Sequence, residues 1–398
     1  MNNQKQILYI GGFELPDKNA AAQRVIANGK AFRDLGYSVY YLCLDRAVSK
    51  ITKLEDTKDV FEGFTYYRFK YPVNTIDWFL YMLSINDVKS IMNLLNNLKF
   101  IVAYNYPAFA LLRLKYICEK NNIALVSDCT EWYVPQGNIL FKIVKGADTF
   151  LRMRVVQRKL DGVIAISKYL YDYYAPRMKN VIQLPPMVDL ASVKWAAIVL
   201  NDEDDAIKLV YAGSPGVGAK DRIDKIISTL STIRVNIKNK LLLNVIGLTK
   251  EQYLNSFNKQ LPINDIDEFV SFKGRLSHED ALMQVKRADY AIFIRDNNLV
   301  NTAGFPTKFV EAFSCGIPIL ANASSNITDY LKNGETGYVL DTTNTLLFCN
   351  SLLIPLSLNK FQISTMKNNI IKKRLFDYKN YLTPISSFLD SVSKDNHS

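Results

Sequence analysis

Short apolar runs alternate with longer stretches of helical period along the whole chain. That alternation predicts an α/β fold of parallel strands joined by crossover helices. In the first half, strands are predicted at Ile7–Ile10, Val39–Leu42, Phe100–Tyr104, Ala124–Ser127 and Gly162–Ile166. Between the first two, Ala22, Val25, Ile26, Gly29, Phe32 and Leu35 recur three or four residues apart, and Gly36 can supply a left-handed cap, which predicts a helix. A second series follows Pro185-Pro186 and the acidic run 202–205, with strands predicted at Lys208–Ala212, Leu241–Ile246, Phe269–Phe272, Tyr290–Ile294 and Pro318–Ala321. The expected organisation is a first parallel-sheet domain over 1–190, an exposed linker over 191–206, a second parallel-sheet domain over 207–370 and a terminal segment over 371–398. Open sheets of this kind take ligands beyond the carboxyl ends of their strands.

With 398 residues and 48% hydrophobic content, the chain can bury substantial cores, and its length suits two domains. The longest apolar stretches, Phe100–Leu112 and Leu346–Leu358, are interrupted by Asn, Pro or Ser. They fall short of the roughly 20 residues of a spanning helix, so no transmembrane segment is expected. The amino end runs into a strand pattern without a signal-like core, which predicts a cytoplasmic protein. Cys43, Cys118, Cys129, Cys315 and Cys349 are odd in number and form no CxxC pair, which argues against a zinc framework and a disulfide scaffold. Two histidines, His278 and His397, are too few for a His-based metal site and give little basis for a Ser-His-Asp triad. Lys plus Arg exceed Asp plus Glu by 49 to 38, a balance that favours anionic partners. The cations are spread along the chain and no nucleic-acid motif is present, so no nucleic-acid role is expected.

The segment Phe305 to Ala321 carries the strongest chemical signal. Pro306 sits where a first helical turn starts, Phe309, Val310 and Phe313 have helical spacing, and Gly316 with Pro318 ends the helix before a strand. The amino end of such a helix is an anion site. Glu311 is stabilised there by roughly 0.3 to 1 kcal/mol, so it needs no function to be explained. Lys308 is opposed by the same dipole, and a bound phosphate would reverse that balance.

Four further segments have both a functional and a plain reading. A strand from Leu209 runs into a turn holding Gly213, Gly216 and Gly218, then Lys220 and an amphipathic helix with Ile223, Ile226, Ile227 and Leu230. The spacing is neither that of a nucleotide-hydrolase loop nor that of a dinucleotide fold, and a flexible turn explains it as well as a ligand loop. The first strand ends in Gly11-Gly12, which suits a tight turn or a ligand at a strand end. After the strand at 124–127, Asp128 and Glu131 are flanked by Trp132 and Tyr133. Either carboxylate can accept a hydroxyl proton and the aromatics can pack on a sugar ring, while an Asx turn with a surface glutamate is the alternative. Finally, Phe141–Leu160 interleaves six cations, among them Arg152, Arg154 and Arg158, with apolar residues, a pattern for an anionic membrane or a solvated helix face.

Together these segments resemble the family-4 retaining glycosyltransferases, particularly those of bacterial surface-polysaccharide gene clusters. The likeness runs from the Gly11-Gly12 turn through Asp161–Ser167 and Tyr211–Gly216 with Lys220 to the Pro306–Gly316 helix. It implies the GT-B fold, two Rossmann-like domains facing across a cleft. A nucleotide-diphospho-sugar donor is then held by the second domain and a glycan or lipid-linked acceptor by the first, with retention of configuration and no metal or other cofactor. By position, Lys220 and Lys308 would contact the diphosphate and act in catalysis, and Glu311 would contact the ribose. Gly11, Gly12, Ser214, Arg295 and Thr307 would complete the donor site. Asp128, as a further catalytic residue, would lie on the acceptor side with Glu131 and Trp132. The basic stretch Phe141–Leu160 allows peripheral attachment to the inner face of the membrane, and the carboxyl end around Phe376–Tyr381 resembles the family's terminal helix that crosses back onto the first domain. Two positions depart from the family pattern: the first glutamate of E-x7-E is Ala303, and the arginine usual after the glycine of the second domain's first turn is Ser214. Lys220 would then carry more of the phosphate charge, helped by Arg222 or Arg295. The departures leave room for a degenerate subunit that stabilises a partner transferase, and a sugar-nucleotide epimerase on the same fold is a third reading.

Overall fold

The computed structural model describes residues 4–16, 19–48, 55–133, 139–196, 205–214, 220–257 and 265–394. The chain forms two compact units, one made of Met1–Val188 with Tyr378–Ser398 and the other of Asp189–Asp377.

The first unit holds an eight-stranded sheet of β1 (Gln6–Gly11), β2 (Ser38–Asp45), β3 (Lys58–Phe61), β4 (Phe64–Lys70), β5 (Leu98–Tyr104), β6 (Ala124–Cys129), β7 (Gly162–Ala165) and β8 (Val181–Gln183). Its order is β3-β4-β2-β1-β5-β6-β7-β8, and only β3 runs antiparallel to its neighbour. All five strands expected here from the sequence are present. The sequence reading missed the β3–β4 hairpin and the three-residue edge strand β8. The hairpin turns through Glu62 and Gly63, both at positive φ. Strand β1 lies between β2 and β5, and its side chains alternate between two cores, as burial on both faces requires. Ile7 and Tyr9 enter one core with the helix Ala20–Asp34, while Leu8 and Ile10 enter the other with the helix Ala108–Lys120. Helix Ala20–Asp34 closes as expected: Gly36 adopts φ +91°, and the amides of Gly36 and Tyr37 return to the carbonyls of Arg33 and Phe32.

The carboxyl-terminal return begins at Tyr378, whose amide bonds the Val188 carbonyl and whose hydroxyl donates to Asp34 at 2.7 Å. Ile385, Phe388, Leu389 and Val392 of the helix Leu382–Val392 then join the first unit's core.

The second unit holds β9 (Ile207–Ala212), β10 (Leu241–Ile246), β11 (Val270–Gly274), β12 (Tyr290–Phe293), β13 (Ile319–Asn322) and β14 (Gly337–Leu340), all parallel, in the order β11-β10-β9-β12-β13-β14. The five expected strands are present, and β14, only four residues long and starting at Gly337, was missed. Strand order reverses between β9 and β12, which makes their carboxyl ends the topological switch point of this sheet. Helix Lys360–Lys373 stays with the second unit, packing on the helix Thr307–Ser314, so the return starts several residues later than the expected boundary at 371. Among the described residues, no single helix is long and apolar enough to cross a membrane.

Candidate functional site

At the switch point of the second unit, four side chains from four chain segments meet. Strand β9 brings Tyr211. After it, Gly213 takes φ +134°, and a Cβ there would lie 3.0 Å from Lys308 Nζ, so glycine leaves room for the lysine head. The glycine turn at 215–219 lies outside the described residues. The chain is described again from Lys220, half-buried, and Asp221 forms an isolated bridge with Arg295, just past β12. Arg295 is clamped by Asn322 at the end of β13, whose side chain bonds the Arg295 amide and carbonyl at 2.8 Å each. Helix Thr307–Ser314 starts after Pro306 and carries Lys308 in its first turn. The Gly316 cap expected to end it is present, at φ +76°.

Asp221 is the hub of this cluster. Its carboxylate accepts from Lys308 Nζ, from Arg295 Nε at 2.7 Å and from the Tyr211 hydroxyl at 2.9 Å, and it is buried. The Lys308 ammonium also sits 4.0 Å from the centroid of the Tyr211 ring. Burial works against the charge on Asp221, yet Lys308 and Arg295 outweigh it and hold the carboxyl at about 2. Burial lowers the pKa of Lys308, and Asp221 opposes that shift. Two cations thus face one carboxylate. The excess positive charge lies in a desolvated setting beside a helix amino end with no side-chain cap, which suits an anion. The dipole penalty that marked Lys308 in the sequence already has an answer in Asp221, a partner the sequence reading missed although it follows Lys220 directly.

Two of the remaining donor-side residues, Thr307 and Glu311, lie on this same helix. Thr307 is half-buried at its start. Glu311, one turn after Lys308, is also half-buried, with Oε1 3.7 Å from Nε2 of His278. His278 opens the helix His278–Lys286, and its ring lies edge-on to Trp195. Ser214 is exposed. Arg222 is engaged elsewhere, by Asp224 at 2.6 Å and Asp296 at 3.1 Å. Ala303 is fully buried at the end of the helix Leu299–Ala303. Among the described residues, no group of three or more His, Cys, Asp or Glu side chains could hold a metal ion.

In the first unit, Gly11 ends β1 at φ +152°, and a Cβ there would lie 2.6 Å from the Tyr104 carbonyl oxygen. Its neighbour Gly12 is exposed. Gly11 lines a cavity of about 200 Å³ with Leu44, Phe69, Leu80, Tyr81 and Tyr106. Asp128 is placed differently from the acceptor-side base that its sequence context suggested. It is 0% exposed and takes Arg24 in a two-pronged ion pair at 2.7 Å, while Tyr9 donates to its other oxygen. Arg24 also bonds the Leu184 carbonyl, and Asn28 bonds the Tyr9 hydroxyl. Burial and the adjacent carboxylate push the Tyr9 hydroxyl well above its ordinary range. With both oxygens committed inside the core, Asp128 ties β6 to the helix Ala20–Asp34 and presents no surface to a substrate. Arg24 and Asn28, one helical turn apart among apolar neighbours, were the sequence signal for this network. Glu131 and Trp132 are half-buried, and Trp132 packs edge-on against Tyr169 and Tyr173. The basic stretch also divides: Arg152 is buried on the Asn105 carbonyl and Arg158 bonds the Tyr173 hydroxyl, which leaves Arg154 exposed.

Residues 199–353 match the family described as Glycosyl transferases group 1. Among curated protein sequences, none matches the chain. Solved structures match along nearly the full length. Sucrose-phosphate synthase from Thermosynechococcus elongatus aligns with a TM-score of 0.68 at 14% identity, covering 98% of this chain and 99% of that one. Anabaena HepE in complex with UDP aligns with a TM-score of 0.68 at 14% identity, covering 97% and 100%. S. aureus TarM, as a mutant in complex with Fondaparinux, alpha-GlcNAc-glycerol and UDP, aligns with a TM-score of 0.64 at 10% identity, covering 97% and 100%. At these identities the likeness establishes the fold, which is GT-B. Residues 199–353 are thus similar to the glycosyl transferases group 1, and the chain is a glycosyltransferase on the two-sheet fold of its structural neighbours.

Proposed function

We propose that the chain transfers a sugar, with retention of configuration, from a nucleotide-diphospho-sugar to a glycan or lipid-linked saccharide in surface-polysaccharide synthesis. The observation that carries this reading is the Lys308–Asp221–Arg295 cluster, a buried excess of positive charge at the switch point of the second sheet. The diphosphate takes the place of the missing negative charge, held by Lys308, Arg295 and Lys220 with the first-turn amides of the Thr307–Ser314 helix. Gly213 and Ser214 give its backbone approach, Thr307 flanks the phosphates, and Glu311 accepts from the ribose hydroxyls. HepE and TarM, on the same fold, are recorded with UDP.

In the transfer, the bond from the anomeric carbon to the β-phosphate oxygen breaks as the acceptor hydroxyl oxygen bonds that carbon from the same face. The hydroxyl proton passes to the departing phosphate oxygen. Charge develops on the diphosphate, and prepositioned cations stabilise it without a metal ion. Gly11 and Gly12 let the turn after β1 approach the donor, Glu131 and Trp132 belong to the acceptor side, and Asp128 holds the end of β6 in place through Arg24. A lipid-linked acceptor would bring the enzyme to the cytoplasmic face of a membrane.

Calorimetry with a panel of nucleoside diphosphates, followed by donor turnover with Lys308→Ala, tests the reading. Binding of a diphosphate and a loss of turnover of roughly 10²- to 10³-fold are expected, the scale on which one prepositioned donor acts. Near-normal turnover in the variant would remove Lys308 from the mechanism. A degenerate subunit is the second reading, favoured by the buried apolar Ala303 where the family pattern has a glutamate. Such a subunit should bind no member of the panel.

A further inference from the structure

Large exposed apolar side chains are unevenly spread. The helix Thr75–Leu83 shows Ile76, Phe79, Leu80 and Leu83 to solvent, spaced along one face, with Ile76 72% exposed. The helix Ala108–Lys120 shows Phe109, Leu112 and Tyr116, and the helix Ile139–Leu151 shows Ile143 and Phe150. The three helices are neighbours: Arg113 bonds the Leu83 carbonyl at 2.6 Å, and Asp148 accepts from the Ala108 amide at 2.8 Å. The middle one packs its opposite side, through Leu111, Leu114 and Cys118, on the sheet core, so the stripes form an outer layer. A contiguous apolar surface of this kind marks an interaction site.

Charge on this surface is positive on balance. Asp77 is paired with Lys70 and Glu119 with Lys115, while Asp148 is buried. Lys145 is half-buried and faces Asp148 and Glu131, so the net positive charge comes from Lys120, Lys142 and Arg154. Lys120 lies 4.3 Å over the Tyr116 ring, Lys145 5.7 Å from Trp78, and Arg154 5.0 Å over Phe150. Lys142 is exposed beside Ile143. Apolar and aromatic groups with cations at their flanks match an interface where hydrocarbon meets anionic headgroups. The surface is also continuous with the Gly11 cavity, because Leu80 is exposed and lines that cavity.

We propose that this face of the first unit docks on an anionic phospholipid bilayer, with Ile76, Phe79, Leu80 and Leu112 in the acyl boundary and Lys142 and Arg154 at the headgroups. The surface deepens the proposed use of a lipid-linked acceptor, but it is tested without donor or acceptor. The docking elements differ from the basic stretch read as a unit in the sequence, since Arg152 and Arg158 are occupied inside the fold.

The experiment is cosedimentation of the full chain with phosphatidylcholine vesicles, with or without 30% phosphatidylglycerol. Preferential binding to the anionic vesicles, weakened by salt, is expected. Ile76→Ser with Phe79→Ser and Leu80→Ser should reduce the partition coefficient at least about tenfold, as loss of three buried apolar side chains requires. Lys142→Glu with Arg154→Glu, on a different helix, should abolish the anionic preference, and unchanged melting of each variant excludes misfolding. Wild-type binding by both variants would overturn the proposal. So would absence of vesicle binding, whether the chain is monomeric or self-associates through the same face. A separate failure to bind nucleoside diphosphates would sink the transferase reading and leave the docking surface standing.

Discussion

Replacing Asp221 by Asn tests the electrostatic logic of the site without changing its shape. In the folded chain the carboxyl titrates at about 2 against an ordinary 3.8. At 1.36 kcal/mol per pH unit, that depression corresponds to about 2.5 kcal/mol of stability. Because the folded value is the lower one, this contribution is complete above about pH 4 and is lost as pH falls through 2. The substitution does more than delete it, since Lys308 and Arg295 are left as two buried cations without an anion. Breaking a buried pair by removing one partner costs about 3–5 kcal/mol. Lys308, already lowered by burial, should fall further without Asp221. Its stability contribution then rises with pH, because the unfolded chain binds the proton that the folded one sheds. Denaturant unfolding followed by hydrogen exchange in the Thr307–Ser314 helix should show a deficit of at least about 3 kcal/mol at pH 7 that shrinks toward pH 10. A saturating nucleoside diphosphate should stabilise the variant more than the wild type, since phosphate returns the missing charge. A deficit below about 1 kcal/mol, in the range of an exposed pair, would refute the cluster as described.

Three further outcomes follow from the same geometry. Arg24→Met leaves Asp128 buried with only Tyr9 and should destabilise the first unit by about 3–5 kcal/mol in denaturant unfolding, whereas an acceptor-side role for Asp128 alone would spare stability. Gly11→Ala forces a Cβ to 2.6 Å from the Tyr104 carbonyl oxygen at φ +152°, and a loss of at least about 2 kcal/mol is expected in the same measurement. Glu311→Gln should weaken ribonucleoside diphosphates more than their 2′,3′-dideoxy counterparts in calorimetry. Equal weakening would detach Glu311 from the ribose.

Much of the architecture was legible in the chain itself. Ten strands, the capped helix after β1 and the Pro306-to-Gly316 helix follow from periodicity, Pro at a helix start and Gly at a helix end, all of which are local effects. The strands that escaped notice, β3, β4, β8 and β14, are short or mixed in polarity, and neighbouring strands rather than their own pattern define them.

The site divides along the same line. Lys308 was conspicuous because a cation in a first helical turn opposes the local dipole, and Gly11 because a glycine pair ends a strand. What Lys308 meets depends on the order of strands, since Asp221 and Arg295 lie 87 and 13 positions away and are joined only where β9 passes beside β12. Asp128 shows the converse. Its position after a buried strand suggested exposure to a substrate, but Arg24, 104 residues earlier, turns it inward and uses both its oxygens. Local sequence determined which residues are chemically unusual, because dipoles, caps and backbone strain act within a turn. Tertiary structure decided which of them are satisfied internally and which leave charge available to a ligand, because burial and pairing bring together residues far apart in the chain.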